Sequence, residues 1–282
     1  MQDLTISPLQ GLPTLVAGQA VFAALKKQGA QGFLVADAAP LAVVVTWRSR
    51  RHPKLLRFTC ACTKAGLATP PAALADAVVS TAIAAAKAFR AAGILLTATA
   101  ATPLIGDMVS RGLRRIATVY QPRLSLAQVA VPSHALPAGA ALLSATGLAQ
   151  SPAVLAALRE RAQAAYAAQH PLDPVNPAAV AALSPKLADL VPDIPVALHR
   201  GDELLAFCLV HPVNADTAKL GLTWAADPAD LTALAEQTLS TLASSFGWLT
   251  GAVSDLDPAA VQVARMLNQP LAPEVAKYVM LF

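Results

Sequence analysis

The chain of 282 residues predicts an α/β protein of the α+β kind, made of two copies of one domain, each a mixed, mostly antiparallel sheet flanked by helices. Three observations predict it. Hydrophobic residues make up 55% of the chain and charged residues 13%, enough for two buried cores and too apolar for extended disorder. One order of apolar runs, turns and helical segments occurs twice. Matching glycines, Gly93 and Gly247, stand 154 positions apart, about one domain length.

Each copy opens on a hairpin pattern: "GFLVADAAPLAVVVTW" (Gly32 to Trp47) and "PVALHRGDELLAFCLVH" (Pro195 to His211) are apolar runs broken by a short polar turn. A long strand follows, "KLLRFTCACT" in the first copy and "AKLGLTWAA" in the second. Long helical segments come next, Pro71 to Gly93 and Pro228 to Gly247, opened by proline at a tolerated first-turn position and closed by glycine. Then come an apolar strand ("ILLTATAA", "WLTGAVS"), a proline-opened helix, and a last strand with a tyrosine ("ATVYQ", "AKYVM"). Ahead of its hairpin the second copy has a strand and two helices, with Ser151 and Pro152 as N-cap and first helical residue; the first copy has room for one helix. The expected domains are residues 1–127, trimmed at the start, and 128–282.

Mean hydropathy is +0.52, yet the longest nearly uncharged run, Leu124 to Leu158, holds three prolines and excludes a twenty-residue apolar helix. Neither a basic leader region nor an apolar one starts the chain, so a cytoplasmic protein is expected. Cys60, Cys62 and Cys208 form no C-x-x-C pair, and the scattered histidines show no metal spacing, so no metal is expected. Cys60 and Cys62, two apart in a strand, point to one face. Charge is uneven: Met1 to Leu124 carries 14 Lys and Arg against 4 Asp and Glu, a balance of +10, while the remainder carries 7 against 13. The first half suits an anion.

This order of elements resembles the GNAT superfamily of N-acyltransferases, in two copies with degenerate motifs covering nearly the whole chain. The best local matches are "FRAAGILLTATAATPLIGDMVSRGLRRIATVYQ" and "SSFGWLTGAVSDLDPAAVQVARMLNQPLAPEVAKYVML". The resemblance implies transfer of an acyl group, acetyl in the first instance, from acyl-CoA to the amine of a small molecule or peptide. It also implies a glycine loop before the long helix, whose amides receive the pyrophosphate. "TKAGLA" (Thr63 to Ala68) keeps that spacing, so acetyl-CoA or another acyl-CoA is expected along Cys60, Ala61, Cys62, Lys64, Gly66, Leu67 and Ala68. The second copy has "WAADPAD" at the same junction, where Asp227 and Asp230 repel phosphate. The connection "YAAQHPLDPVNP" corresponds to a wall of the acceptor site, which nominates Tyr166, His170 and Asp173.

No catalytic residue is named. The tyrosine acid found in many members falls on Met108 and Ala264, neither of which moves a proton, and the Gly-Phe pair that closes that helix falls on Asn268 and Gln269. Two alternatives therefore stay open: a catalytically inactive relative that keeps the cleft, and a binder of an acidic partner through the basic half. The densest basic stretch, "WRSRRHPKLLR" (Trp47 to Arg57), reads as an exposed loop between two strands, and its one aromatic offers too little stacking surface for nucleic acid. Oligomeric state is not encoded in any pattern seen.

Overall fold

A computed structural model describes residues 4–68, 71–99, 102–127, 129, 134–180, 185–271 and 273–282. Thr69 and Pro70, expected in the turn before the first long helix, and Pro132 lie outside the described residues. The chain forms two compact units: the first is Met1–Ala117 with Leu172–Asn176 and Val275–Phe282, the second Thr118–Pro171 with Pro177–Glu274.

In chain order the first unit contains β1 (Thr5–Pro8), α1 (Gln19–Leu25), β2 (Gln31–Ala36), β3 (Pro40–Arg48), β4 (Leu56–Cys62), α2 (Lys64–Ala68), α3 (Pro71–Ala88), β5 (Gly93–Thr99), α4 (Pro103–Ser110) and the start of β6 (Arg114–Tyr120). The second holds β7 (Arg123–Ser125), β8 (Ala141–Ser144), α5 (Ala145–Ala149), α6 (Pro152–Ala168), α7 (Pro177–Val180), β9 (Pro195–Arg200), β10 (Glu203–Pro212), β11 (Thr217–Ala225), α8 (Pro228–Ala243), β12 (Trp248–Gly251), β13 (Val253–Ser254) and α9 (Pro258–Arg265). The last strand, β14 (Pro273–Leu281), returns to the first unit, whose strand order is β1-β2-β3-β4-β5-β14-β6. The second unit's order is β7-β12-β11-β10-β9-β8. Among the described pairings β4 with β5 and β11 with β12 are parallel and the others antiparallel. The expected class, two mixed and mostly antiparallel sheets flanked by helices, is the observed one, and both expected hairpins form, as β2–β3 and β9–β10.

The continuous apolar runs in β3 and β10 reflect burial on both faces. In the first unit Phe58, Ile94 and Leu96 pack against Leu74, Val78 and Ala82 of α3. On the opposite face Val43, Val45 and Ala61 meet Val21 and Ala24 of α1. In the second, Cys208 and Val210 face Leu234 and Leu239 of α8, while Phe207 and Leu209 face Leu158 and Ala162 of α6. Caps follow the sequence: Thr102 Oγ1 accepts from Ile105 N at 3.3 Å and Asp257 Oδ1 from Ala260 N at 3.0 Å, each just before an opening proline. Ser151 differs, since its hydroxyl donates to Gly147 O and caps nothing.

Gly93 and Gly247 do not close the long helices, which end at Ala88 and Ala243. They begin the next segment at points of close approach. A Cβ on Gly93 would lie 2.3 Å from Met280 O, and one on Gly247 2.6 Å from Asp216 Oδ1. Among the described residues no helix is long and apolar enough to cross a membrane.

Candidate functional site

Each unit contains a fork. Parallel pairing of β4 with β5 matches Leu56, Arg57 and Phe58 with Ile94, Leu95 and Leu96 and stops there, although both strands continue. Beyond it β4 is held by β3 and β5 by β14. Thr63 N donates to Leu41 O at 2.8 Å, which sets the antiparallel alternation along β3–β4: odd residues of β4 bond to β3, and the N–H and C=O of Cys60 face the opening. At the outer end Cys62 O accepts from Val16 N at 2.8 Å. The Cys60 and Cys62 side chains both join the core on the α3 face, as the two-residue spacing predicts, and burial pushes the Cys60 thiol up to about 12.

The chain leaves the fork through α2. Gly66 is buried, and a Cβ there would lie 1.9 Å from Leu41 O, so only glycine lets α2 rest on β3. Its amide donates to Thr63 Oγ1 at 3.1 Å, and that hydroxyl donates to Pro40 O at 2.6 Å. Gly66 thus has a packing role, and its amide is taken. Lys64, Leu67 and Ala68 are exposed. The first turn of α3 carries no acid.

On the α1 face, at the base of the fork, lies a cavity of about 580 Å³. Thr59 and Thr97, the first residues past the last parallel pair, line it, together with Lys27 in the turn after α1, Arg48 at the end of β3, Arg50 just beyond it, and Arg57 of β4. The basic loop is only partly exposed as expected: Arg50 and Arg51 are open to solvent, whereas His52 and Leu55 are 3% and 0% exposed. Asp173 pins them. His52 Nδ1–H donates to Asp173 O at 2.6 Å, Leu55 N donates to Asp173 Oδ1 at 3.1 Å, and Arg57 Nη2 stands 3.6 Å from Asp173 Oδ2. Burial lowers the His52 pKa and raises that of Asp173, in the second case against the pull of Leu55 N and Arg57.

The nominated acceptor residues belong to different units. Asp173 lies in the buried cluster of the first unit. Tyr166 and His170 belong to the second, with rings stacked at 4.5 Å and His170 Nδ1–H donating to Tyr166 O. At the positions of the usual acid, Met108 and Ala264 are both buried. Asn268 takes φ +50, a conformation that glycine adopts freely and asparagine tolerates, and the Gln269 amide pairs with both backbone groups of Ser125 in β7.

In the second unit the parallel pairs run from Thr217–Trp248 to Leu220–Gly251, after which β13 turns away to pair with Val119 and Tyr120. Beyond this fork Trp224 packs on Phe207, with Arg161 5.1 Å above its ring. Asp257 accepts from Gln169 Nε2 at 2.7 Å and from Thr223 Oγ1 at 3.4 Å, and burial raises its pKa. Asp227 Oδ1 accepts from Ala229 N at 2.8 Å at the start of α8, with Asp230 in the first turn. Sequence reasoning missed both forks and the contributions of Lys27, Thr59 and Thr97, which lie on segments distant in sequence; of the cavity's cations, only those in the basic stretch gave a local signal.

No protein-family model and no curated protein matches the chain. Solved structures do. A GCN5-related N-acetyltransferase from Sphaerobacter thermophilus is 13% identical over 94% of this chain and 85% of its own, with a TM-score of 0.58. A tandem GNAT protein from the clavulanic acid biosynthesis pathway is 12% identical over 99% of this chain and 98% of its own, with a TM-score of 0.52. Identities this low speak to backbone architecture alone, and on that architecture the chain has the fold of the GCN5-related N-acetyltransferases along nearly all of its length.

Proposed function

We propose that this protein is an acyl-CoA-dependent N-acyltransferase that acetylates the amine of a small molecule or peptide, with its cofactor in the fork of the first unit. The observation that carries the reading is the unpaired stretch of β4, where the N–H and C=O of Cys60 face an opening between two strands. An extended arm bearing amides can add to such an edge as a further strand does. Cys60, Ala61 and Cys62 supply that edge. From Thr59 to Thr63 the strand advances about 13 Å, which separates the base of the fork from the turn at Lys64. There the exposed Lys64 ammonium and the acid-free start of α3 tolerate phosphate, while Gly66, Leu67 and Ala68 shape the turn. The second unit does not fit the same ligand, because Asp227 already fills the start of α8 and Asp230 adds negative charge. The tandem GNAT protein from the clavulanic acid biosynthesis pathway was solved without AcCoA, and the fold shared with it supports an acyl-CoA ligand here.

Bound there, the thioester supplies an activated acyl group. With Met108 buried at the usual acid position, what this chain contributes is placement: two reactants held side by side gain rate without a donated proton. Its three free cysteines suit a reducing cytoplasm.

Calorimetric titration with acetyl-CoA tests the reading. Wild type is expected to bind, and Lys64→Glu to bind several-fold more weakly at low salt. No heat with wild type overturns the cofactor assignment. Binding without thiol release across a panel of amines would favour the inactive relative that the buried Met108 and Ala264 suggest.

A further inference from the structure

We infer that the cavity at the base of the first fork is the acceptor site and that it selects amines carrying an oxyanion, a phosphate or a carboxylate. The inference rests on the cofactor reading above for its direction. Its charge rests on the cavity itself. Lys27, Arg48, Arg50 and Arg57 converge on about 580 Å³, and among the described residues no carboxylate lines it. Asp173 lies behind one of the four, Arg57. Like charges gathered on a concave wall with a poorly polarisable backing raise the local potential and concentrate anions.

Two further features prepare the site for a small ligand. Arg48 Nε donates to Pro53 O at 3.1 Å, which fixes one guanidinium in place. Arg57 Nε is buried and has no acceptor, and a slight turn of this side chain toward an oxyanion would satisfy it. The hydroxyl-bearing Thr59 and Thr97 lie where the strands part, so a ligand anchored among the cations can reach the fork with its other end. The volume falls within the range of small-molecule pockets. Among the described residues Trp47 is the one aromatic in the lining, which disfavours a stacked nucleic acid.

The test uses the full chain with inorganic phosphate and malonate as separate probes, and acetyl-CoA as a third arm. Lys27→Glu and Arg50→Glu reverse exposed charges and are checked for an unchanged unfolding midpoint. Expected are binding of at least one probe to wild type, a loss of at least about tenfold in the double variant, and unchanged acetyl-CoA affinity. The tighter probe identifies phosphate or carboxylate as the group selected. If neither probe binds, or the variant binds as well as wild type, the oxyanion site is overturned while the acetyl-CoA arm still judges the cofactor reading. Loss of acetyl-CoA affinity in the variant would assign the cavity to the cofactor and overturn the acceptor site. Anion binding with no acetyl-CoA heat in wild type overturns the acceptor role through the cofactor reading. A single-stranded oligonucleotide that outcompetes both probes and is released by the same variant overturns the small-molecule reading.

Discussion

Beyond the fork of the first unit the chain turns through Lys64 and Gly66 into a helix with no carboxylate in its first turn; beyond that of the second, Asp227 caps the helix and Asp230 follows. The faces beside the forks differ as well. Thr59 and Thr97 leave a cation-lined cavity in the first unit, whereas Trp224 packs on Phe207 under Arg161 in the second. Two similar frames have thus been given opposite charge at the helix start and opposite filling beside the sheet. A sheet can be repeated while the side chains at its edge change, because the strands need only the backbone and alternating apolar residues, whereas recognition depends on a few side chains at the edge.

The largest test of that equivalence is in the cores. Phe58 and Phe207 are both fully buried on the central strands of their sheets. Phe58→Ala and Phe207→Ala are each expected to cost about 3–5 kcal/mol in denaturant titrations. A cost well below that range at one site would break the comparison. Next in size is the cap that distinguishes the second unit. Asp227→Ala should lose about 1 kcal/mol, while Asp227→Asn keeps the acceptor for Ala229 N and stays close to wild type. Equal losses would show that charge at the helix start, and not the hydrogen bond, is what matters there.

The smallest effect is a slope with pH in the first unit. The folded pKa of His52 lies below its ordinary 6.5, chiefly because burial disfavours the cation, with Arg57 and Arg51 adding to this against the Asp173 carbonyl and carboxylate. Above 6.5 the folded and unfolded chains both hold it neutral. As pH falls below that value the unfolded chain takes up a proton before the folded chain does, so stability is lost until the folded pKa is passed. The drop in urea midpoint between about pH 8 and about pH 5.5 should therefore shrink in His52→Gln. An unchanged drop would remove His52 from the account.

Much of the frame was legible. Both hairpins, the proline-opened helices and the single helix before the first hairpin follow from period, punctuation and caps, all of which act within a few residues. A glycine after a helix looks like a cap, as Gly93 and Gly247 do in sequence, and only the approach of the Met280 carbonyl to the first and of the Asp216 carboxylate to the second shows what a side chain there would meet. Asp173, expected on a ligand-facing loop, has its carbonyl and carboxylate engaged by His52 and Leu55, more than a hundred positions earlier.

By itself the sequence determined the class of fold, the two copies and the concentration of positive charge in the first half, because local periodicity and composition carry that information. Tertiary structure alone decided where the parallel pairs stop, that the last strand lies between β5 and β6, and that Lys27 shares a cavity with Arg48, Arg50 and Arg57. These are matters of register and packing between segments far apart in the chain, where free energy is gained by the whole arrangement and no short stretch records it.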